Sequence, residues 1–350
     1  MATLAGKLMH ALQYDNCGKA SATALKHVEI PIPVPKKNEV LVKVEALALN
    51  PVDWKIQTGM LRPIYPCKFP HIPELMRFSS GDHITGTDVA GEIVEVGHGV
   101  TKFKVGDKVV VTLNHANGGG LAEFVVASEN LIVTRPPQVS PAEAASLPIS
   151  GLTAHQALTQ IARINLDPGT AEVAVANILV TAASGGVGHY AVQLAKLRQN
   201  THVTATCGAR NIEFVKSLGA DEVLDYTTPE GSALQSPSGR KYDVVIQCVT
   251  GIPWSTLEPN LSKNGKVIDI SPGPASLWTF ALKKLTFSSK QLVPIIFVNT
   301  KSENLEYLVK LVNEGKLKTA IDSKYPLSKA EDAWAKCIDG HATGKIIVEP

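Results

Sequence analysis

The residues best placed for chemistry form a glycine-rich turn, Ala182-Ala183-Ser184-Gly185-Gly186-Val187-Gly188. It lies between the apolar run Ile178-Leu179-Val180 and a segment in which Tyr190, Leu194 and Leu197 recur at helical spacing. Lacking Cβ atoms, such a turn lets backbone N–H groups approach a phosphate, and the helix N-terminus that follows favours negative charge. Strand, turn and helix in that order separate a dinucleotide site from a chance cluster of glycines.

The next strand sharpens the ligand. In NAD-binding versions of this unit the second strand ends on an Asp or Glu that bonds the ribose 2′-hydroxyl. Here Val203-Thr204-Ala205-Thr206 runs into Cys207-Gly208-Ala209-Arg210, with no carboxylate. A guanidinium without an acid suits a 2′-phosphate, so NADPH is expected over NADH. Two roles for Arg210 stay open, phosphate ligand or surface cap. Tyr226 has two as well, a flank to the same phosphate or adenine, or a core tyrosine. Ligands in open α/β sheets collect at the strands' carboxyl ends, which adds Cys248-Val249 and Ile270-Ser271 as candidates. Cys248 itself reads as a small buried side chain rather than a reactive thiol.

Elements that must carry these residues follow from patterning. With 350 residues the chain exceeds the usual span of one core, so two domains are expected. From Met9 to Val133 short strands such as EVLVKVEALALN, GEIVEVG and DKVVVTL alternate with turn signals, which predicts a distorted β-barrel, and Gly118-Gly119-Gly120 reads as a flexible loop. Ser140 and Pro141 open a helix, and Gly151 to Leu158 a second. Strands and helices then alternate from Ile178 to Ile270, which predicts a doubly wound parallel sheet. The fold class is thus α/β, with residues 1–148 and 291–350 forming the barrel domain and 149–290 the dinucleotide domain.

Composition narrows the partners. A net charge of +2 with interspersed signs gives no reason to expect nucleic acid. Cys17, Cys67, Cys207, Cys248 and Cys337 are scattered and odd in number, as suits reduced thiols. No apolar run reaches the length of a membrane-spanning helix, and no secretory or transit segment is expected before the first strand.

The set Asn50-Pro51-Val52-Asp53, Gly86-Thr87-Asp88-Val89-Ala90-Gly91, Gly106-Asp107-Lys108-Val109, Gly151-Leu152-Thr153-Ala154 and Ala182 to Gly188 resembles the quinone oxidoreductase branch of the medium-chain dehydrogenase/reductases over nearly the whole chain. Plant plastid members of that branch look closer still. The resemblance implies a GroES-like catalytic domain, a Rossmann domain, and NADPH-dependent reduction of the carbon–carbon double bond of α,β-unsaturated carbonyls, long-chain oxylipin ketones among them, or of quinones. It further implies that Thr153 meets the nicotinamide portion, that Ser184 and Gly185 through Gly188 line the pyrophosphate, and that Gly344-Lys345 close over the cofactor.

Zinc-dependent relatives carry a cysteine where this chain has Asp53, a His-Glu pair where it has Thr87-Asp88, and a four-cysteine lobe. Tetrahedral zinc needs close-set ligands, so no metal is expected here. Hydride addition to an enone then leaves an enolate that the protein itself must stabilise. Lys55, directly after the turn, is the first candidate for the oxyanion, for protonating the α-carbon alongside solvent, and for touching the cofactor; the alternative is a solvated lysine at a helix start. Asn50 is expected to shape the pocket and Asp53 to orient Lys55. Tyr65 is a weaker donor candidate.

Glu74 to Thr85 is an apparent insertion relative to the family, read equally as a gating loop, a disordered excursion or an artefact of the gene sequence. A rival to the enzyme is an NADPH-binding scaffold or sensor with little turnover. By resemblance the chain is expected at the chloroplast inner envelope as a peripheral protein, and by its residues alone in a soluble, reducing compartment. Monomer and homodimer both remain open.

Overall fold

A computed structural model describes residues 4, 6–14, 18–61, 83–113, 119–166, 176–198 and 200–350. The chain divides into two compact units, Met1–Ile149 with Thr300–Pro350, and Ser150–Asn299.

In the first unit the strands are β1 (Leu8–Tyr14), β2 (Lys26–Pro31), β3 (Glu39–Leu49), β4 (His83–Ile84), β5 (Asp88–Val96), β6 (Lys108–Thr112), β7 (Phe124–Ser128) and β8 (Ile132–Thr134). The second holds β9 (Ala176–Val180), β10 (Thr201–Cys207), β11 (Glu222–Asp225), β12 (Tyr242–Gln247), β13 (Leu261–Asp269) and β14 (Gln291–Pro294). The tail then returns to the first with β15 (Ile321–Pro326) and β16 (Lys345–Glu349).

Two sheets make the first unit, one ordered β2-β1-β4 and one ordered β15-β16-β3-β5-β6-β8 with β7 paired to β3. β3 is the spine: it pairs antiparallel with β5, β7 and β16, and it is buried along most of its length because its residues alternate between two packed faces. Val42, Val44, Leu47, Val89, Ile93, Val109 and Trp334 belong to one core. β16 brings the C-terminus against β3, setting Ile346 opposite Leu49. The helix Ala330–Asp339 packs against the short helix Pro51–Gln57 that leaves β3. The tail therefore supports that short helix twice, by a strand and by a helix.

The second unit is a parallel sheet ordered β11-β10-β9-β12-β13-β14. Leu179 and Val180 are both fully buried, which is what a strand covered on both faces requires of consecutive residues. Strand order grows outward in one direction from β9 to β11 and in the other from β12 to β14. The reversal lies between β9 and β12, so the crevice beyond their carboxyl ends is the expected ligand position.

Several expectations change in detail. The second helix begins at Pro148 rather than Gly151, and past Gln156 it continues as a π-type turn, Ala157–Ile161. Gly118 lies outside the described residues, but Gly120 is not in a loose loop: its N–H donates to Gly86 O at 3.0 Å. Of the apparent insertion, residues 74–82 lie outside the described part, whereas His83–Ile84 form a strand paired with Gln13 and Tyr14. Tyr65 also lies outside it, as do Cys17 and Cys67.

Candidate active site

The glycine turn is built by two buried threonines that the sequence reading passed over. Thr206, near the end of β10, accepts from Ala182 N at its Oγ1 and from Ala183 N at its carbonyl. Thr181, at the end of β9, accepts at Oγ1 from Cys248 N across 2.9 Å, tying β9 to β12 at the strand-order reversal. Ala182 takes a left-handed conformation, φ 47°, to start the turn. Gly188 ends it and opens the helix Gly188–Lys196; a Cβ there would lie 2.3 Å from Ala182 O, so no other residue fits. The first N–H groups of that helix have no acceptor within it. Ser184, Gly185, Gly186 and Val187 thus sit in a fixed loop at a helix N-terminus and a strand carboxyl end.

Beside the turn, β10 delivers Cys207 and Gly208 to a short 3₁₀ turn, Ala209–Asn211. Arg210 and Tyr226 are exposed at this end of the sheet, and Tyr226 N donates to Cys207 O. The core reading of Tyr226 therefore fails, with half its surface in solvent (52 %). Asn211, which the sequence reading missed, donates from Nδ2 to Ser184 Oγ at 3.1 Å and joins the two loops. One acid is near: Asp225 pairs with Cys207 in register, but its Oδ1 accepts from Thr227 N and Oγ1 and so serves its own turn.

Cys248 follows β12 and Val249 is exposed. Burial, then the Asp269 carboxylate, pushes the Cys248 thiol up to about 12. Burial and Asp225 likewise push Cys207 up to about 11. Neither is a thiolate near neutral pH, so both enter the site as structure rather than as nucleophiles. Ser271 N donates to Asp269 Oδ1 and Ser276 Oγ to Oδ2, so the loop carrying Ile270 and Ser271 is anchored by a buried carboxylate. Thr153 lies buried on the helix Pro148–Gln156. The glycine turn at a helix N-terminus, with these side chains and an exposed arginine just past β10, fits a nicotinamide dinucleotide.

In the first unit a buried polar cluster surrounds the start of the helix Pro51–Gln57. Asn50 N donates to Asp53 Oδ2 at 2.8 Å, and Asn50 Nδ2 donates to Asp88 Oδ2 at 2.9 Å. Asp88 also accepts from Ile149 N and Thr87 Oγ1. Lys345 Nζ donates to Asn50 Oδ1 at 2.6 Å and to Leu49 O, and stands 3.9 Å from Asp88 Oδ2. All these side chains are buried. Burial drives the Asp53 carboxyl up to about 7, against the Asn50 N–H and Lys345, which pull it down. Burial also raises Asp88 and lowers Lys345, each against the other's charge.

The partners of two expected site residues lie within this cluster. The Asp53 carboxyl caps the helix through Asn50 N, with the Asp88 and Lys345 charges acting on it. Gly344 and Lys345 enter the closing strand beside it. A Cβ on Gly344, φ 89°, would lie 2.2 Å from Ala320 O, and the Lys345 ammonium is spent on Asn50 and Leu49. Lys55 is half-buried, with Nζ 5.8 Å from the centre of the Trp54 ring. Among the described residues no three His, Cys, Asp or Glu side chains gather as a metal centre would need.

Two modules are recognisable in the chain, an alcohol dehydrogenase GroES-like domain over residues 36–137 and a zinc-binding dehydrogenase domain over residues 218–348. Together with the fold they define a medium-chain dehydrogenase/reductase, an oxidoreductase class that works with a nicotinamide cofactor. The chloroplast envelope quinone oxidoreductase homologue of Arabidopsis thaliana is 67% identical over 347 residues, 99% of this chain and 100% of that one. An NADPH-dependent alkenal/one oxidoreductase of the Arabidopsis chloroplast is 31% identical, covering 98% of this chain and 80% of that one. A quinone oxidoreductase from Coxiella burnetii superposes with a TM-score of 0.83 at 32% identity, covering 98% of this chain and 100% of that one. The chain belongs to the quinone oxidoreductase branch of the medium-chain dehydrogenase/reductases.

Proposed function

We propose that the protein is an NADPH-dependent reductase of the carbon–carbon double bond of α,β-unsaturated carbonyls, and of quinones, acting by hydride transfer without a metal. The observation that carries this reading is the donor set around Asn50. Where zinc-dependent relatives hold ligands, Asp53 and Asp88 are engaged by Asn50, Ile149 and Thr87 in a closed hydrogen-bond cluster. Relatives named for quinones and for NADPH-dependent alkenal/one reduction support the substrate class.

NADPH, when bound, supplies the hydride. The second unit's part is to hold its phosphates: the turn Ser184 to Gly188 offers N–H groups to the pyrophosphate, and Arg210, with the Cys207–Gly208 backbone and Tyr226, takes the 2′-phosphate. Thr153 and the loops at Cys248-Val249 and Ile270-Ser271 would border the nicotinamide half. In the first unit Lys55 is the residue that would meet substrate and cofactor: its ammonium would stabilise the carbonyl oxygen as negative charge develops there, and it or solvent would deliver the proton to the α-carbon. Asn50 and Asp53 hold the helix that carries Lys55.

Relatives named for the chloroplast and its envelope support a peripheral place at the inner envelope. No helix among the described residues is long and apolar enough to cross a membrane.

Turnover of a panel of enones and quinones with NADPH tests the proposal. Oxidation of NADPH matched by saturation of the enone double bond is the expected result. Tight NADPH binding without oxidation by any member would establish the scaffold reading instead.

A further inference from the structure

The segment that returns from the end of β11 to the start of β12 borders a cavity of about 610 Å³ in the second unit. Ser232 and Gln235 line it from that segment, Arg240 and Lys241 from the two positions just before β12, and Ser255 and Asn260 from the stretch that leads into β13. Its place is therefore the amino edge of the parallel sheet. The glycine turn and the loops after β12 and β13 lie at the carboxyl edge, and β12 alone, six residues at about 3.3 Å each, keeps the two edges roughly 20 Å apart. The cavity is no part of the dinucleotide crevice.

Its walls are fixed by hydrogen bonds. Asn260, buried, donates from Nδ2 to Ala233 O at 2.8 Å and to Thr256 O at 2.9 Å. Lys241 Nζ donates to Pro259 O at 2.9 Å, and the Tyr242 hydroxyl to Leu234 O at 3.0 Å. Small-molecule sites span about 300–1,000 Å³, and this hollow falls within that range.

Charge decides what it takes. No Asp or Glu lines the cavity. On the neighbouring elements, Glu222 accepts from Thr204 Oγ1, Ser236 Oγ and Ser238 N, Asp243 accepts from Asn177 N, and Glu258 pairs with Lys283. Glu230 is exposed. Arg240 donates to Asn177 Oδ1 at 3.5 Å, and among the described residues neither it nor Lys241 pairs with a carboxylate. A hollow lined by charge of one sign concentrates the opposite ion. A guanidinium forks onto phosphate oxygens and a neighbouring ammonium adds a point charge, while the Ser255 hydroxyl and the Gln235 amide suit sugar hydroxyls.

We propose that this cavity binds a small organic phosphate, of sugar phosphate or mononucleotide size, at a site separate from that of the cofactor. Arg240 and Lys241 take the phosphate, and Ser255 and Gln235 the sugar.

Calorimetric titration of the NADP⁺-saturated protein with ribose 5-phosphate, AMP, inorganic phosphate and ribose tests it. One of the two organic phosphates is expected to bind at a single site and to raise the thermal midpoint, and ribose to do neither. Tighter binding of AMP assigns the site to a nucleotide, and tighter binding of ribose 5-phosphate to a sugar phosphate. Arg240→Gln and Lys241→Gln should each weaken that binding roughly tenfold or more, the loss of one charge-assisted bond, and Arg240→Lys should recover part of it. All three variants should keep the wild-type kcat and KM for NADPH, since both side chains lie at the other edge of the sheet. Failure of both organic phosphates to bind, binding by the Gln variants as tight as wild type's, or inorganic phosphate binding as tightly as either probe would overturn the proposal.

Discussion

Lys345 and Asn50 lie 295 residues apart in sequence and 2.6 Å apart in space, with the lysine ammonium donating to the asparagine carbonyl inside the first unit. Through this bond the closing strand β16 holds the turn that launches the Lys55 helix. Removing the ammonium leaves Asp88 buried without its counter-charge, and breaking such a pair costs about 3 kcal/mol or more. Lys345→Met is therefore expected to lower unfolding free energy by about that amount in urea titration. Adding Asp88→Asn should restore part of it, since the stranded charge is then gone. An unchanged denaturation midpoint for Lys345→Met would contradict this role.

Asp53 makes stability depend on pH. Its folded carboxyl is raised to about 7 by burial, above the ordinary value of 3.8, so between these values the folded state holds a proton the unfolded chain has released. The contribution is present below the ordinary value and is lost as pH rises through the folded one. Wild type should therefore lose stability relative to Asp53→Asn as pH rises from about 4 to about 7, and the difference should level off above that. Parallel stability profiles for the two proteins would disprove the assignment.

In the proposed function Arg210 sets the choice of cofactor. Charge-assisted hydrogen bonds to a phosphate are each worth about 1.5–3 kcal/mol. Arg210→Ala is expected to lower kcat/KM for NADPH by roughly tenfold to a hundredfold while leaving the value for NADH nearly unchanged. Equal loss with both cofactors would mean that Arg210 acts on structure alone.

The geometry of the glycine turn depends on Thr206. Its hydroxyl accepts from Ala182 N, and Thr206→Val removes that acceptor within a buried region. A loss of about 1 kcal/mol of stability is expected, with a higher Kd for NADPH measured by fluorescence titration, and Thr206→Ser should recover most of both. If the serine variant binds no better than the valine one, the hydroxyl is not what holds the turn.

How much of this was legible in the sequence depends on how far each residue's partners lie. The turn at Ser184 to Gly188 could be read because glycines at a helix start carry a local signal. So could the cap of the helix Pro141–Ser146, where Ser140 Oγ accepts from Glu143 N and the Glu143 carboxylate from Ser140 N. Thr181 and Thr206 were invisible as scaffold because threonine in a β pattern reads as an ordinary strand former. The bond of Lys345 to Asn50 was not legible, because the two lie in segments far apart in sequence. Asp53 was read through its closeness to Lys55 in sequence, and the cap it makes through Asn50 N was not foreseen.

In the proposed reaction Lys55 stabilises the oxyanion of an enone without a metal, and the decisive measurement is enone turnover by Lys55→Ala in chelator-treated enzyme. Wild type should keep full turnover after chelation, and the variant should still bind NADPH, with at most a small rise in Kd, while kcat for the enone falls about 10²-fold or more, the usual loss for one oxyanion donor. Full enone turnover by Lys55→Ala, or loss of wild-type turnover on chelation that added zinc restores, would rule out this role for Lys55.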